Sequence, residues 1–303
     1  MKRFLDFIEL RTKVTSVLVF GLTLTLLYAL GQPISWRNTV LFFASMFLFD
    51  LTTTAINNYI DTKTNGESLP YPRNTAKIIL YTLFTVSTAL GLMLAYRTDV
   101  VVLLTGGLCF LCGVCYTWGP VPISRLPLGE LLSGLFYGLL IPFLMLYINL
   151  PQGTLLSFEI SIRALEIHIQ FMTVLAMLLF AVTPACATAN IMLANNLCDV
   201  EKDRTIGRFT LAHYIGKYGT ALFAGLYYAA YAAFTVLIIW KRLSPVCLLT
   251  WLSLIPVQKN INRFRKEQNK KTTFVLSVQN FIWLVGAQIF LLSISGLLAR
   301  IIE

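Results

Sequence analysis

Long apolar stretches dominate this chain and set the strictest limit on its fold. Nine of them approach the length that crosses a bilayer as a helix, and short polar connections separate them. In lipid, the backbone polar groups of a segment must form hydrogen bonds within that segment, as they do in a helix. The apolar stretches therefore predict an all-α, polytopic membrane protein, with one transmembrane domain over residues 1–303. The stretches lie near residues 14–31, 38–60, 76–96, 99–118, 129–149, 169–194, 218–240, 243–260 and 275–299.

The composition excludes several classes of protein. Of 303 residues, 57% are hydrophobic and 13% are charged, with a formal net charge of +10. The basic residues are scattered between apolar segments and form no continuous stripe, so a nucleic-acid partner is not expected. The six cysteines lie in or beside apolar segments and predict no secreted disulfide framework. Charged residues precede the first apolar run and no small-residue cleavage site ends it, so no cleavable signal peptide is predicted.

The distribution of Lys and Arg predicts an orientation in the membrane. With the N-terminus inside, the cytoplasmic segments hold 18 of the 24 basic residues and the opposite side holds six. The positive-inside rule therefore predicts a multi-pass protein of the cell membrane, with a cytoplasmic N-terminus and an external C-terminus. The connections after the second, fourth, sixth and eighth stretches, which carry the polar motifs, then face the cytoplasm.

A carboxylate pair follows the sixth apolar stretch. Asp199 and Asp203, with Asn195 one turn earlier, are each four residues apart and share one helical face. Mg²⁺ prefers one or two carboxylates together with phosphate oxygens and water, so this open face suits a metal-bridged diphosphate. A solvated charged loop between membrane helices is the alternative for this motif taken alone. The flanking cations that a phosphate partner would require are Lys202, Arg204 and Arg208.

A similar arrangement ends the second apolar stretch. Asn57 and Asp61 repeat the spacing of Asn195 and Asp199, which predicts two metal-binding faces around one diphosphate. Asp50 lies on the same helical face but well inside the apolar segment, where an ionisable side chain is costly. We expect it to line a polar cavity, and a hydrogen bond between packed helices is the alternative.

Four further features concern the helices and their connections. The segment YTWGPVPISRLPLGE, from Tyr116 to Glu130, carries prolines and glycines that predict a structured turn. Gly134 and Gly138 form a G-x-x-x-G pair, which predicts close helix packing. Pro184 predicts a kink or break in the sixth helix, and residues 150–168 predict a connection at the outer interface.

These motifs resemble those of the UbiA superfamily of intramembrane prenyltransferases. The second motif reads N-N-x-x-D-x-x-x-D-x-x-x-G-x-x-T-L from Asn195, and the turn reads Y-T-x-G-P-x-P followed by P-L-G-E. The turn is similar to that of the 1,4-dihydroxy-2-naphthoate polyprenyltransferase branch, which makes demethylmenaquinone. The resemblance implies about nine helices around a central cavity and Mg²⁺ as cofactor. It also implies transfer of a polyprenyl group from prenyl diphosphate to 1,4-dihydroxy-2-naphthoate, with loss of diphosphate and CO₂.

The resemblance, together with the charge pattern, assigns roles to individual residues. The catalytic residues are expected to be Asp61, Asp199 and Asp203, and these with Asn57 and Asn195 are the expected metal ligands. Substrate contacts are expected from Asn57, Lys63, Arg73, Tyr116, Asn195, Lys202, Arg204 and Arg208, the last being the preferred diphosphate contact. The expected cavity-lining residues are Asp50, Tyr59 and Trp118.

The chain also departs from the family pattern. It has Asn58 and Asn65 where the first motif commonly carries acidic residues, so metal binding there is expected to rest on Asp61 and Asn57, with Asp50 or Glu67 as helpers. Cys198 replaces the Arg that usually precedes the first Asp in the naphthoate branch. The cations expected to substitute for that Arg are Lys202, Arg204 or Arg73.

Two other functions fit parts of the pattern. One is the same chemistry with another aromatic acceptor, such as 4-hydroxybenzoate. The other is a cation-coupled transporter, in which Asp50 and the Asp199–Asp203 pair would bind the driving ion. A motif repeated at two helix ends on the same side favours paired metal sites over transport. The lipid bilayer is the predicted partner besides the substrates, and no obligate protein partner is predicted.

Overall fold

The computed structural model describes residues 2–64, 68–118, 122–160, 165–205 and 207–302. Within these ranges the fold is almost entirely helical. The α-helices are α1 Lys2–Phe7, α2 Val14–Ala29, α3 Trp36–Thr64, α4 Arg73–Arg97, α5 Val100–Thr117, α6 Gly129–Ser133, α7 Ile141–Tyr147, α8 Phe171–Thr205, α9 Leu211–Ile215, α10 Gly219–Ile239, α11 Leu254–Lys266 and α12 Phe274–Ile302. Short 3₁₀ segments cover Leu10–Lys13, Ile123–Arg125, Gly216–Tyr218 and Pro245–Ser253, and a π-helical segment covers Gly134–Leu140.

Most of the apolar stretches are long enough to span a bilayer. In the described part of the chain, seven helical segments qualify by length and composition, and α2 is a shorter apolar helix of 16 residues. The seven are Trp36–Ile60, Arg73–Arg97, Val100–Thr117, Gly129–Tyr147, Phe171–Thr205, Leu211–Ile239 and Phe274–Ile301. The prediction of an all-α, multi-pass membrane protein is therefore confirmed.

The eighth apolar stretch does not form one continuous α-helix. Its first half is the 3₁₀ segment Pro245–Ser253, and α11 then extends past the predicted limit at residue 260 into the basic run of residues 259–271. Val257, Ile261 and Phe264 are fully buried along one side of α11. Because these residues are four and three positions apart, they form the apolar face of an amphipathic helix, and the basic side chains lie on the opposite face.

A small β-hairpin interrupts the helical pattern in the connection predicted for residues 150–168. Strand β1, Leu156–Ile160, pairs antiparallel with β2, Leu165–Ile169. Leu156 lies opposite Ile169. Both strands alternate apolar and polar residues, the pattern of a strand with two different faces.

The chain divides into two compact units. The first contains Met1–Val17 and Ser35–Ser124, and the second contains Leu18–Ile34 and Arg125–Glu303. In the first unit, α3 packs along α4, and Phe7 of α1 joins Leu51 and Ala55 of α3 in a buried cluster. In the second unit, α8 is the central helix and packs against α10, α12, α6 and the π-helical segment.

Glycines allow the π-helical segment to lie directly against α8. A Cβ atom on Gly138 would overlap the backbone of Ala185, and one on Gly134 would meet the Ala185 carbonyl. The predicted close packing at this G-x-x-x-G pair is therefore confirmed. Helix α8 continues through the neighbouring Pro184 without a break, and the Thr188 hydroxyl donates a 2.8 Å hydrogen bond to the Pro184 carbonyl.

Candidate active site

The polar end of α8 carries the second aspartate motif, in the second compact unit. Asn195, Asp199 and Asp203 all lie within α8, so their four-residue spacing places them on one face as predicted. The Asp203 side chain is 7% exposed, whereas that of Asp199 is 21% exposed. The motif thus runs from a partly open position to a buried one.

Asp203 has one oxygen facing a cation and one without a partner. Its Oδ1 lies 3.8 Å from an Arg208 guanidinium nitrogen, and the Arg208 backbone N–H donates to the Asp203 carbonyl at 2.9 Å. Gly207 adopts a left-handed backbone conformation (φ +68°), which lets the chain turn back directly after α8. The Oδ2 atom of Asp203 is buried and has no hydrogen-bond partner in the described part of the chain. An orphaned carboxylate oxygen of this kind is costly unless a ligand satisfies it.

Lys270, in the basic run of residues 259–271, completes this cluster and was not among the predicted site residues. It lies in the link between α11 and α12, and its Nζ is 2.5 Å from Asp199 Oδ2. The same ammonium donates a hydrogen bond to Asn195 Oδ1 and lies 5.0 Å from the centre of the Phe274 ring. The structure therefore brings a cation onto both of the first two motif residues.

The other cations of the motif lie at its surface. Lys202 and Arg204 are exposed near the C-terminal end of α8. Lys202, seven residues after Asn195, lies beside the motif face, whereas Arg204 lies off it. Of the basic residues in the motif, Arg208 is the one that makes a described ion pair with it. A role for Lys202 or Arg204 in substrate binding stays a prediction.

A second buried carboxylate lies behind the motif. Asn196 Nδ2 donates a 2.8 Å hydrogen bond to Glu130 Oε1, and the two residues are 1% and 5% exposed. Glu130 comes from the first turn of α6, at the end of the predicted proline-rich turn. Glu130 Oε2 and Asn196 Oδ1 are both buried, and neither has a hydrogen-bond partner among the residues that the structure describes. The pair fixes α6 against α8 directly beside the candidate site.

The first motif lies in the other compact unit, at the end of α3. The Thr117 hydroxyl of α5 donates to Asn57 Oδ1, the oxygen predicted to bind metal. Asn58 Nδ2 donates to the Phe7 carbonyl at 2.9 Å, a bond that the acidic residue common in the family could not make. The side chains of Asp61 and Lys63 lie outside the described residues, as do Asn65 and Glu67 entirely. Their predicted roles stay predictions.

Arg73 and Tyr59 contact each other. The Arg73 guanidinium lies 5.5 Å from the centre of the Tyr59 ring and donates 3.4 Å hydrogen bonds to the carbonyls of Tyr59 and Thr62. Arg73 therefore caps the C-terminal turn of α3, where exposed carbonyls attract a cation. Its predicted substrate contact would have to compete with this cap.

Tyr116 is partly buried and Trp118 is 65% exposed, and the turn that follows, residues 119–121, lies outside the described part.

Asp50 makes a buried ion pair. Its Oδ1 is 2.8 Å from Lys13 Nζ and its Oδ2 accepts a 2.7 Å hydrogen bond from Ser16. Both charged side chains are 6% exposed. Since both carboxylate oxygens are engaged by the N-terminal segment, this geometry favours the helix-packing alternative over a cavity-lining or metal-helping role for Asp50.

The α8 face fits a magnesium ion that shares its coordination with a ligand. It presents the two Asp199 oxygens, the orphaned Asp203 Oδ2 and the Asn195 amide oxygen, all hard oxygen donors. Among the described residues, no three His, Cys, Asp or Glu side chains form a ready metal cage. Mg²⁺ at this face would therefore take its remaining ligands from phosphate oxygens and water.

Comparison with known proteins decides the family. The model of the UbiA prenyltransferase family matches residues 17–294, nearly the whole chain. The chain belongs to this family. It is therefore a UbiA-type membrane prenyltransferase, and its resemblance to that family in motifs and fold is confirmed.

Individual proteins similar to this chain extend the comparison. The chain is 32% identical over 148 residues to 1,4-dihydroxy-2-naphthoate octaprenyltransferase of Bacillus subtilis (strain 168), an alignment that covers 48% of this chain and 41% of that enzyme. A structure of digeranylgeranylglyceryl phosphate synthase superimposes with a TM-score of 0.66 at 18% identity, covering 96% of this chain and 98% of that one. A UbiA homologue from Archaeoglobus fulgidus bound to GPP and Mg²⁺ gives 0.63 at 14% identity, with 96% and 99% covered. At these identities the two structures support the fold alone.

Proposed function

We propose that this UbiA family member transfers a polyprenyl group from prenyl diphosphate to 1,4-dihydroxy-2-naphthoate. The observation that carries the proposal is the face of α8, where Asp199 and buried Asp203 lie with the cations Arg208 and Lys270 beside them. Carboxylates for a divalent cation and basic groups for phosphate oxygens on one face are what a metal-diphosphate complex requires. The buried Asp203 Oδ2, which has no hydrogen-bond partner among the described residues, is available as a ligand atom on this face.

The proposed residues act by binding and by balancing charge. Asp199, Asp203 and Asn195 would hold Mg²⁺, which when bound neutralises charge on the leaving diphosphate. Arg208 and Lys270 donate hydrogen bonds to phosphate oxygens and favour the diphosphate as it gains charge. The supporting evidence in this chain is the orphaned Asp203 oxygen and the position of the two cations. The A. fulgidus homologue bound to GPP and Mg²⁺ is consistent with the assignment.

The bond changes of the proposed reaction balance without a further reactant. The C–O bond between the allylic carbon and diphosphate breaks, and diphosphate departs with the bonding electrons. The electron-rich naphthoate ring forms a C–C bond to that allylic carbon at the position that carries the carboxylate. Loss of the carboxylate as CO₂ returns its electron pair to the ring and restores aromaticity. An apolar surrounding protects the developing allylic cation from water.

The acceptor is proposed from two observations. One is the Y-T-x-G-P turn that begins at Tyr116, and the other is the B. subtilis naphthoate enzyme, which aligns with about half of this chain. The Arg usual in that branch is Cys198 here, which is partly buried on α8 one residue before Asp199. We propose that Lys270, which contacts Asp199, supplies positive charge at this end of the motif.

The proposed orientation follows from charge. With 18 of 24 basic residues on one side of the apolar stretches, the N-terminus and both motifs are assigned to the cytoplasm. Cysteines introduced in place of Lys77 and Arg242 test this assignment. In spheroplasts, an impermeant maleimide should label the second and leave the first unlabelled until the membrane is opened. The reverse pattern would contradict the orientation.

Acceptor competition tests the proposed substrate. Purified protein in nanodiscs, supplied with Mg²⁺ and farnesyl or longer prenyl diphosphate, receives equimolar 1,4-dihydroxy-2-naphthoate and 4-hydroxybenzoate, and products are identified by mass spectrometry. We expect a prenylated naphthoquinol whose mass shows the loss of CO₂. A prenylated 4-hydroxybenzoate as the main product would keep the reaction class and overturn the acceptor.

A further inference from the structure

Lys270 occupies oxygen atoms that the proposed function assigns to a metal ion. Its ammonium lies 2.5 Å from Asp199 Oδ2 and donates a hydrogen bond to Asn195 Oδ1. Magnesium binds oxygen at about 2.0–2.1 Å and requires the lone pairs of its ligands. A metal ion at the same oxygens would lie beside the ammonium as a like charge, so the two cations compete for these atoms. Lys270 therefore lies where the proposed function places a divalent cation at this end of the motif.

The backbone around Lys270 is held firmly, whereas its side chain is not enclosed. Asn269 receives hydrogen bonds from the backbone N–H groups of Lys271, Thr273 and Phe274 at 2.9, 2.9 and 3.1 Å. The Asn269 N–H in turn donates to the Thr273 hydroxyl at 2.8 Å. The Lys270 side chain is 43% exposed. A lysine on a fixed base with a flexible four-carbon stem can exchange one oxygen partner for another nearby.

We propose that Lys270 is a resident cation that exchanges partners. It neutralises Asp199 in the protein without ligand, yields the Asp199 and Asn195 oxygens when a divalent cation arrives with diphosphate, and then binds a phosphate oxygen of that complex. This inference rests on the proposed function, because it takes a diphosphate as the ligand of the α8 face. It adds a residue 71 positions from Asp199 to the site, outside both aspartate motifs.

The exchange makes metal and diphosphate binding mutually dependent. Without diphosphate, a divalent cation must displace the ammonium and leave it beside a like charge, so binding of metal alone is weak. With diphosphate, the displaced ammonium gains a phosphate partner, so binding of the complex is strong. Removing the charge of Lys270 should therefore change the two affinities in opposite directions, a result that a purely structural ion pair does not produce.

The test measures binding of Mn²⁺, as a spectroscopic substitute for Mg²⁺, to protein in nanodiscs of neutral lipid. Free Mn²⁺ is followed by electron paramagnetic resonance, with and without inorganic pyrophosphate, for wild type and Lys270→Met. We expect the variant to bind Mn²⁺ alone about tenfold more tightly and the Mn²⁺–pyrophosphate complex about tenfold more weakly. The matched control is Lys271→Met, an exposed neighbour whose affinities should stay within about twofold of wild type.

A charge-retaining variant separates charge from packing. Lys270→Arg keeps the positive charge and should preserve weak binding of Mn²⁺ alone. If Lys270→Met weakens both affinities, or behaves as Lys271→Met does, the inference is wrong. These binding measurements need no turnover. If the protein catalyses prenyl transfer but Lys270→Met does not shift the two affinities in opposite directions, the exchange is refuted and the proposed reaction stands. If the affinities shift in opposite directions but no prenyl transfer occurs, the proposed reaction is refuted and the exchange stands.

Discussion

Replacing Lys13 by Met tests the energetic role of the buried ion pair in the first compact unit. Lys13 Nζ is 2.8 Å from Asp50 Oδ1 and also donates to the Asp50 carbonyl at 2.9 Å and to the Thr54 hydroxyl at 2.5 Å. Ser16 donates to the other carboxylate oxygen at 2.7 Å. Both charged side chains are 6% exposed, so water cannot replace a lost partner without rearrangement.

The burial of this ion pair sets the expected loss of folding stability in Lys13→Met. Removing the cation keeps the Asp50 carboxylate in a buried position without its charge partner, which costs about 3–5 kcal/mol of folding stability. Asp50→Leu strands the ammonium and should cost a similar amount. Replacing both residues removes both charges at once, and the double variant should be within about 2 kcal/mol of wild type. The two single effects should therefore not add, with a coupling of about 4 kcal/mol or more.

Equilibrium unfolding in mixed micelles of a mild detergent and sodium dodecyl sulfate measures these values. Wild type, the two single variants and the double variant complete a double-mutant cycle. Arg37→Met, an exposed cation on α3, is the control and should change stability by less than about 1 kcal/mol. Additive single effects, or a Lys13→Met cost below about 1 kcal/mol, would refute the argument that burial makes this pair strong.

Three more substitutions test contacts around the two motifs. Asn58→Asp removes the donor to the carbonyl at the end of α1, and we expect a loss of about 1–3 kcal/mol and faster proteolysis of the N-terminal segment. Gly138→Val forces a side chain into the backbone of α8 and should cost about 1–3 kcal/mol or more in thermal unfolding, whereas Gly225→Val, which points into open space, should cost less. Asn196→Leu removes the described hydrogen bond to buried Glu130, and we expect a loss of about 3 kcal/mol that Glu130→Gln in the same chain partly restores.

The membrane fold was predictable because its signal is local. A run of about 20 apolar residues needs no partner to be recognised, so the ends of α3, α4 and α12 fall within about four residues of the predicted limits. The hairpin was predictable in principle and was missed. Its strands, LSFEI and LEIHI, alternate apolar and polar residues, a period of two that differs from the continuous apolar run of a membrane helix.

The candidate site was only half predictable. The four-residue spacing of Asn195, Asp199 and Asp203 is a property of one helix, so the sequence was sufficient to place them on one face. Lys270 is 71 residues from Asp199, and no local pattern distinguishes it from the other cations of its basic run. Asp50 shows the same limit, because sequence shows an acid within the apolar stretch but not the Lys13 that neutralises it.

The most direct measurement compares Asp199→Asn with Glu201→Gln in Mg²⁺-dependent prenyl transfer. Both substitutions remove one negative charge near the end of α8, but Glu201 is exposed and lies off the motif face. With prenyl diphosphate and 1,4-dihydroxy-2-naphthoate, we expect Asp199→Asn to lower the rate of prenylated naphthoquinol formation by about 100-fold or more. Glu201→Gln should retain at least half of the wild-type rate. Equal rates for the two variants, or equal product with and without Mg²⁺, would contradict the assignment of the α8 face as the diphosphate site.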